Sequence, residues 1–114
     1  MLQNTNLPIL KEIVDLIVPL VEPDKIVLFG SYARGDADEH SDIDLLVLKK
    51  GLTDEHGMSV KMYYSFYENK IETDVDVISM DYDRYLSVCD DLGYIYRNIQ
   101  REGKVLYESL QGMD

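Results

Sequence analysis

The sequence predicts one α/β domain of the α+β kind, in which helices pack on a small sheet. The chain has 114 residues, which is the length of a single domain. Segments with helical spacing of apolar residues alternate with short apolar segments typical of buried strands, and this alternation favours helices layered on a sheet. No internal repeat or linker-like composition divides the chain. We therefore expect residues 1–114 to form one domain with a single core.

A helix is predicted at the start of the chain. Capping side chains at positions 4–6 precede Pro8, which suits a first helical turn, and apolar residues then recur at helical spacing. Pro19 and Pro23 are expected to close this helix. The next predicted elements are a buried strand, a short helix, a loop and a second buried strand, at Lys25–Phe29, Ser31–Arg34, Gly35–Ser41 and Ile43–Leu48.

The second half of the chain begins with a predicted turn at Gly51–Asp54. The elements expected after it are a helix, a third strand and two further helices, at Glu55–Lys70, Thr73–Ser79, Asp81–Cys89 and Gly93–Glu102. In the first of these helices the side chains expected to face inward are Met58, Met62, Tyr63 and Phe66. The segment GKVLYES at 103–109 is a tail that could add a short edge strand.

The composition predicts a soluble protein of the cytoplasm. Apolar residues make up 46% of the chain and charged residues 29%, as in globular domains. The longest uncharged apolar run, Ile26–Ser31, is too short to span a membrane, and the N-terminus lacks the features of a secretory signal. The single cysteine, Cys89, is expected to be a buried thiol because it has no cysteine partner.

The charge argues against direct binding of DNA or RNA. Twenty-two acidic residues face 11 basic ones, for a net charge of −11, and no segment supplies the basic surface that nucleic-acid binders carry. An acidic protein can still handle an anionic substrate if metal ions neutralise it locally. The acidity is also consistent with a basic protein partner, or with solubility alone.

Two aspartates open the second predicted strand. Residues two apart on a strand share a face, so Asp42 and Asp44 lie on one side with Cα atoms roughly 6 to 7 Å apart. The residues after Asp44 on the same face are apolar, so the acids are expected where the strand emerges from the interior. Two close carboxylates repel each other unless a cation lies between them, and carboxylate oxygens select hard cations such as Mg²⁺.

The third predicted strand brings further acid. Asp74 and Asp76 share one of its faces, and strand parity alone does not choose between them. If this strand pairs beside the second, three carboxylates converge. That is the layout of a two-metal site, in which ions roughly 3.5 to 4 Å apart act on phosphoryl groups.

The Gly30-Ser31 turn is the third component of the predicted site. A glycine between a strand and a helix lets the backbone approach a phosphate, and a helix N-terminus presents unpaired N–H groups. The Ser31 hydroxyl adds a donor, and Arg34, one turn further on, could reach a phosphate. Alone, such a turn is usually only a connection; its combination with the acids indicates a site.

The segment GSYARGDADEHSDIDLLV, residues 30–47, resembles the nucleotidyltransferases of the DNA polymerase β superfamily. It is most similar to the minimal nucleotidyltransferases, the MNT antitoxins of prokaryotic HEPN/MNT pairs. Their pattern of G-S, ten residues and D-x-D is met by Gly30-Ser31, 32–41 and the Asp42–Asp44 triplet. The family's third carboxylate falls in a strand reading apolar-D-apolar-apolar, which VDVI matches at Asp76. The resemblance covers residues 25–80.

The resemblance implies a polymerase β-like fold with a small mixed sheet, and a set of residue roles. Asp42 and Asp44 would hold two Mg²⁺ ions on ATP, Gly30 and Ser31 would bind the β and γ phosphates, and Asp76 would share a metal. Asp76 would also help to deprotonate an acceptor hydroxyl. The acceptor implied is a tyrosine of a HEPN-type helical ribonuclease toxin encoded nearby.

Two other functions remain open from the sequence. The chain could be a binding module that neutralises its partner by contact, although its acids are intact. It could also modify a small molecule, as antibiotic-modifying relatives do, although 114 residues leave little room for an acceptor pocket unless a homodimer builds one.

Overall fold

The computed structural model describes residues 7–89 and 93–109, with the side chains of 93–96 left out of that description. The described part contains four strands and five helices. In chain order the elements are α1 Pro8–Val21, β1 Lys25–Phe29, α2 Ser31–Arg34, β2 Ile43–Lys49, α3 Glu55–Glu68, β3 Val75–Asp81, α4 Tyr82–Val88, α5 Gly93–Glu102 and β4 Lys104–Glu108. The predicted fold class, a small mixed sheet packed by helices, is confirmed.

The sheet has the strand order β3-β2-β1-β4. β1 is antiparallel to both β2 and β4, whereas β2 and β3 are parallel. A parallel pair needs a long crossover, which α3 provides between the end of β2 and the start of β3. The end of β1 and the beginnings of β2 and β3 therefore meet at one edge of the sheet, where both predicted acidic segments lie.

Helices cover both faces of the sheet. On the first face, Ile43, Leu45 and Val47 of β2 pack in a core with residues of α1 and α3. On the second face, Leu46 and Leu48 pack in a core with residues of α4 and α5. β2 is buried on both sides, which explains its nearly continuous apolar sequence. Side chains at 44 and 76 share the parity of this second face.

The first and third helices differ from the prediction. α1 does not stop at Pro19 but continues to Val21, and Glu22 then takes a left-handed conformation (φ 50°) and donates its N–H to the carbonyl of Val18. The predicted capping side chains at 4–6 lie outside the described residues, and the N-cap is Leu7, without a side-chain bond. α3 ends at Glu68, two residues early.

The prediction for Tyr63 was wrong, whereas those for Met58, Met62 and Phe66 are confirmed by their burial. The Tyr63 ring is exposed, and its hydroxyl accepts the N–H of Val77 on β3 at 2.8 Å. β3 itself begins and ends two residues later than predicted.

The short edge strand expected near the end of the chain is present as β4, and Cys89 is buried as predicted. Among residues 7–89 and 93–109, none of the helices combines the length and the apolar character that crossing a bilayer requires.

Candidate active site

The Gly30 turn is built against a carboxylate. Gly30 is the N-cap of α2 and has φ 75° and ψ −155°, a backbone conformation that residues with a Cβ atom rarely adopt. Its carbonyl oxygen accepts the N–H groups of Ala33 and Arg34, each at 3.0 Å. A Cβ on Gly30 would overlap Oδ2 of Asp44. The glycine is therefore needed both for the backbone conformation and for the close approach of the turn to this carboxylate.

Asp44 lies on the central strand β2, paired with Phe29 of β1 on one side and Asp76 of β3 on the other. It is half-buried. Burial raises the pKa of Asp44 above its ordinary value, and the charges of Asp76 and Asp42 raise it further. The positive charge of Arg34 acts in the opposite direction. Asp44 is therefore an acid whose ionised form is disfavoured by its surroundings.

Asp42 and Asp76 are exposed and close enough to interact. Burial raises the pKa of Asp76, and the charge of Asp42, a hydrogen bond with the Asp42 carboxyl and the charge of Asp74 raise it further. The three predicted carboxylates thus form one electrostatic cluster at the edge of the sheet.

The structure distinguishes Asp74 from Asp76, which the alternation of side chains along the predicted strand did not. The register pairs Asp76 directly with Asp44, whereas Asp74 precedes β3 and its carbonyl accepts the N–H of Ile43 at 2.9 Å. A cleft of about 300 Å³ beside the cluster is lined by Asp42 and Asp74, with Tyr32 and residues of the loops at 39–41 and 72–73. Asp76 is thus the neighbour of Asp44 within the sheet, and Asp74 lies on the wall of the cleft.

The chemistry of these oxygens fits a divalent cation. Asp42, Asp44 and Asp76 offer hard oxygen donors, and their mutual repulsion is what a cation would relieve. Within the part of the chain that the structure describes, no three His, Cys, Asp or Glu side chains already stand in position to coordinate one ion. Their assignment as metal ligands therefore remains a prediction.

Arg34 is held on the other side of the Gly30 turn by two acids that the sequence did not single out. Its Nε lies 3.3 Å from Oδ2 of Asp36, and a terminal nitrogen lies 3.6 Å from Oε1 of Glu102 on α5. The hydrogen bond with Asp36 raises the pKa of Arg34, followed by the charges of Asp36 and Glu102, while its partial desolvation opposes the rise. Asp36 is a sequence neighbour, whereas only the fold reveals Glu102.

The larger cleft lies elsewhere. A cavity of about 610 Å³ between the end of α1 and the start of α3 is lined by Lys49 at the far end of β2. At 3.3 Å per residue, the Cα of Lys49 is about 16 Å from that of Asp44. We place the candidate site at the acidic edge, because the charges and the glycine turn converge there and not in the larger cleft.

A mixed sheet that brings acids from two parallel strands opposite a Gly-Ser turn is the arrangement that the sequence predicted for a nucleotidyltransferase. This chain belongs to the polymerase β nucleotidyltransferase family: the family model described as "Polymerase beta, Nucleotidyltransferase" matches residues 11–111. The predicted resemblance to the nucleotidyltransferases of the polymerase β superfamily is confirmed.

Short segments of the chain are similar to candidate protein adenylyltransferases of Methanocaldococcus jannaschii. One is 67% identical over 27 residues, which cover 24% of this chain and 27% of that relative. A second is 70% identical over 27 residues, which cover 24% of this chain and 18% of that relative. The matched segments therefore span less than a third of these relatives.

Solved structures share the fold over most of the chain. A chain of a toxin–antitoxin complex with AMP-PNP has a TM-score of 0.65 at 22% identity, covering 92% of this chain and 77% of that one. A complex of a tri-AMPylated HEPN toxin of Shewanella oneidensis with an MNT antitoxin gives 0.56 at 22% identity, covering 95% and 72%. A candidate nucleotidyltransferase of Sulfolobus solfataricus gives 0.54 at 25% identity, covering 88% and 78%.

Proposed function

We propose that this chain acts in the cytoplasm as an MNT antitoxin that transfers AMP from ATP to a tyrosine hydroxyl of a HEPN-type ribonuclease toxin encoded nearby. In this proposal residues 1–114 act as one nucleotidyltransferase domain. The observation that carries it is the acidic cluster of Asp42, Asp44 and Asp76 against the Gly30 turn, in a chain of the nucleotidyltransferase family. The AMPylated toxin complex among the fold neighbours supports the choice of acceptor.

The proposed site has two groups of residues, one that binds the phosphates of ATP and one that holds the metal ions. Gly30 and Ser31 bind the β and γ phosphates through the turn, and Arg34 adds positive charge beside it. Asp42 and Asp44, with Asp76, would hold two Mg²⁺ ions. These ions, when bound with ATP, supply positive charge to the phosphate oxygens and make the acceptor hydroxyl more acidic.

The transfer exchanges one P–O bond for another. The tyrosine oxygen forms a bond to the α-phosphorus, and the bond from that phosphorus to the bridging oxygen breaks. Pyrophosphate leaves with the electron pair of that bond. The hydroxyl proton passes to the carboxylate of Asp76, which is exposed at the edge of the sheet where an acceptor can approach. A tyrosine hydroxyl has a pKa near 10, so it needs this assistance at neutral pH.

A protein acceptor suits this chain better than a small molecule. The cleft that touches the acidic cluster is only about 300 Å³ and is lined largely by loop residues. That volume is at the lower end of the range for small-molecule pockets. The net charge of −11 favours capture of a basic protein. Attachment of AMP would then place negative charge where a ribonuclease must bind RNA phosphates.

Intact mass tests the proposal. The chain is incubated with the neighbour-encoded HEPN-type protein, ATP and Mg²⁺, and the partner should gain the mass of one or more AMP units on a tyrosine and lose ribonuclease activity. The Ser31→Ala and Asp44→Asn variants should bind the partner but leave its mass unchanged. If these variants protect cells from the toxin as well as the parent does, neutralisation occurs by contact and the proposed transfer is not its basis.

A further inference from the structure

Helix α3 carries a second apolar face that is open to solvent. Four of its side chains are 41–81% exposed despite their apolar or aromatic character, and we call them the tyrosine stripe: Val60 (50%), Tyr63 (41%), Tyr64 (62%) and Tyr67 (81%). At 100° per residue they fall within an arc of about 100°. The opposite side of the same helix is buried against the core through Met58, Met62 and Phe66. α3 is therefore apolar on two sides.

A surface of this composition is typical of a protein interface. Large exposed clusters of apolar and aromatic side chains mark interaction sites. Tyrosine is enriched at the centres of interfaces and charged residues are depleted there. None of the four positions of the tyrosine stripe is charged. By contrast, the other exposed large apolar side chains in the described residues, Leu20, Leu86 and Val105, lie on three separate elements.

The tyrosine stripe leads to the acidic edge of the sheet, because α3 runs antiparallel to β3. Glu55 Oε2 accepts the N–H of Asp81 at 3.0 Å. The Ser59 and Ser79 hydroxyls are 2.7 Å apart. Tyr63 accepts the N–H of Val77. Each step of four residues on the helix, about 6 Å, matches two residues on the strand.

The next step of this register reaches the candidate site. It places Tyr67 level with Val75, the residue between Asp74 and Asp76. A partner that covers the tyrosine stripe therefore extends at its Tyr67 end to the start of β3, next to Asp74 and Asp76 in the chain, although the Asp76 side chain has the parity of the opposite face of the sheet.

The charge around this end of the tyrosine stripe identifies the kind of partner. Residues 67–76 carry four acids and one base, namely Glu68, Glu72, Asp74, Asp76 and Lys70. The side chains of these five charged residues are exposed, whereas Val75 between two of them is buried. The matching surface is one with apolar side chains at its centre and basic residues where it faces this segment.

We propose that the tyrosine stripe is the docking surface for the acceptor protein, which presents an apolar patch with a basic flank. Docking there brings the acceptor protein to the end of the sheet where β3 begins and the acidic cluster lies. This inference rests on the proposed function for the identity of the acceptor, but it concerns a surface that touches neither the Gly30 turn nor Asp44.

The test removes the exposed rings and leaves the site intact. A Tyr64→Ser/Tyr67→Ser double variant is compared with Leu86→Ser, a matched control that truncates a 58% exposed side chain on α4. The probe is the neighbour-encoded HEPN-type protein. In the double variant, kcat/KM for that protein should fall roughly tenfold or more through KM, since truncation of central interface side chains has effects of this size. The gain in melting temperature with Mg²⁺ and ATP should stay at the parental value, and Leu86→Ser should match the parent in both measurements.

Binding of the partner, measured without ATP, separates this inference from the proposed function. If the parent binds the protein and the double variant does not, while neither transfers AMP, the docking surface stands and the proposed transfer fails. Parental kcat/KM in the double variant would overturn the docking surface. So would a parent chain that sediments as a dimer and becomes a monomer in the double variant, because a second copy would then cover the tyrosine stripe. If the parent neither binds nor modifies the protein, both proposals fall.

Discussion

Replacing Gly30 by alanine should cost both stability and activity, for two separable reasons. The first is the backbone: φ 75° and ψ −155° belong to a region used almost only by glycine, and another residue held there is strained by about 1–3 kcal/mol. The second is contact: the new methyl group would overlap Oδ2 of Asp44, which must move away. The strain lowers the free energy of unfolding, and the displacement of the carboxylate should lower the rate of transfer.

The expected magnitudes follow from the size of the chain. An unfolding entropy of about 2.1 cal/mol/K per residue gives about 0.24 kcal/mol/K for 114 residues. A strain of about 1–3 kcal/mol therefore lowers the melting temperature by about 4–12 °C. A displacement of about 1 Å at a reacting group can reduce the rate about 100-fold. Differential scanning calorimetry and single-turnover AMP transfer, both well below the melting temperature, measure the two effects.

Gly51→Ala is the matched control. Gly51 also has a positive φ, 76°, but a Cβ there meets no atom within 4 Å, and the residue lies at the opposite end of the sheet. Gly51→Ala should lose about 1–2 kcal/mol of stability and transfer AMP at the parental rate. Parental transfer by Gly30→Ala would refute the importance of the close approach to Asp44. Equal losses of activity in both variants would attribute them to destabilisation alone.

Three further outcomes are expected. Mg²⁺ with ATP at a hundredfold excess over Kd should add about 2.7 kcal/mol, or about 11 °C; unchanged melting would remove the nucleotide site. In EDTA at pH 7, Asp44→Asn should be at least as stable as the parent. The pKa of Asp44 is raised in the folded state, so the contribution of this carboxyl group to the free energy of unfolding is complete only below its pKa in the unfolded chain, about 3.9, and is lost as pH rises through its pKa in the folded chain. The advantage of Asp44→Asn over the parent in free energy of unfolding should therefore become smaller from pH 7 towards pH 4. A variant less stable than the parent at pH 7, or an advantage that does not shrink towards pH 4, would contradict this. Asp76→Asn should abolish transfer while retaining Mg-ATP binding, and Asp74→Asn should transfer normally; the reverse would assign the third carboxylate to Asp74.

Elements with local sequence signals were predicted accurately. Lys25–Phe29, Ser31–Arg34 and Gly93–Glu102 have the predicted bounds. For the first two, an apolar run stops at a glycine whose conformation ends one element and starts the next. β3 was placed two residues too early, because alternation of side chains does not mark where pairing begins. Its end is set by the partner strand, with Asp81 paired to Lys49.

For the candidate site, the sequence indicated which residues to consider, but it did not indicate the contacts that they make in the fold. The D-x-D spacing predicted that Asp42 and Asp44 share a face, and it could not predict that Asp76 lies in register with Asp44. The ion pair between Arg34 and Glu102 has no sequence signal, since α5 approaches α2 only in the folded chain. Tyr63 was predicted to face inward because it follows the helical spacing of the apolar residues. In the structure its ring is exposed, and its hydroxyl accepts the N–H of Val77 on β3.

β3 is the outermost strand on one side of the sheet, so the residues of the candidate site differ in the local stability of the strands that carry them. Gly30 and Asp44 are attached to strands with neighbours on both sides, whereas Asp76 lies on a strand whose outward amides at Val77 and Asp81 depend on side chains of α3. Partial opening that frees α3 and β3 would be less costly than global unfolding, so amide hydrogens of β3 should exchange faster than those of β1 and β2. Such an opened form would keep the Gly30–Asp44 pair assembled while losing Asp76. In the proposed function, local opening of this one edge strand would therefore separate retention of nucleotide from competence for transfer.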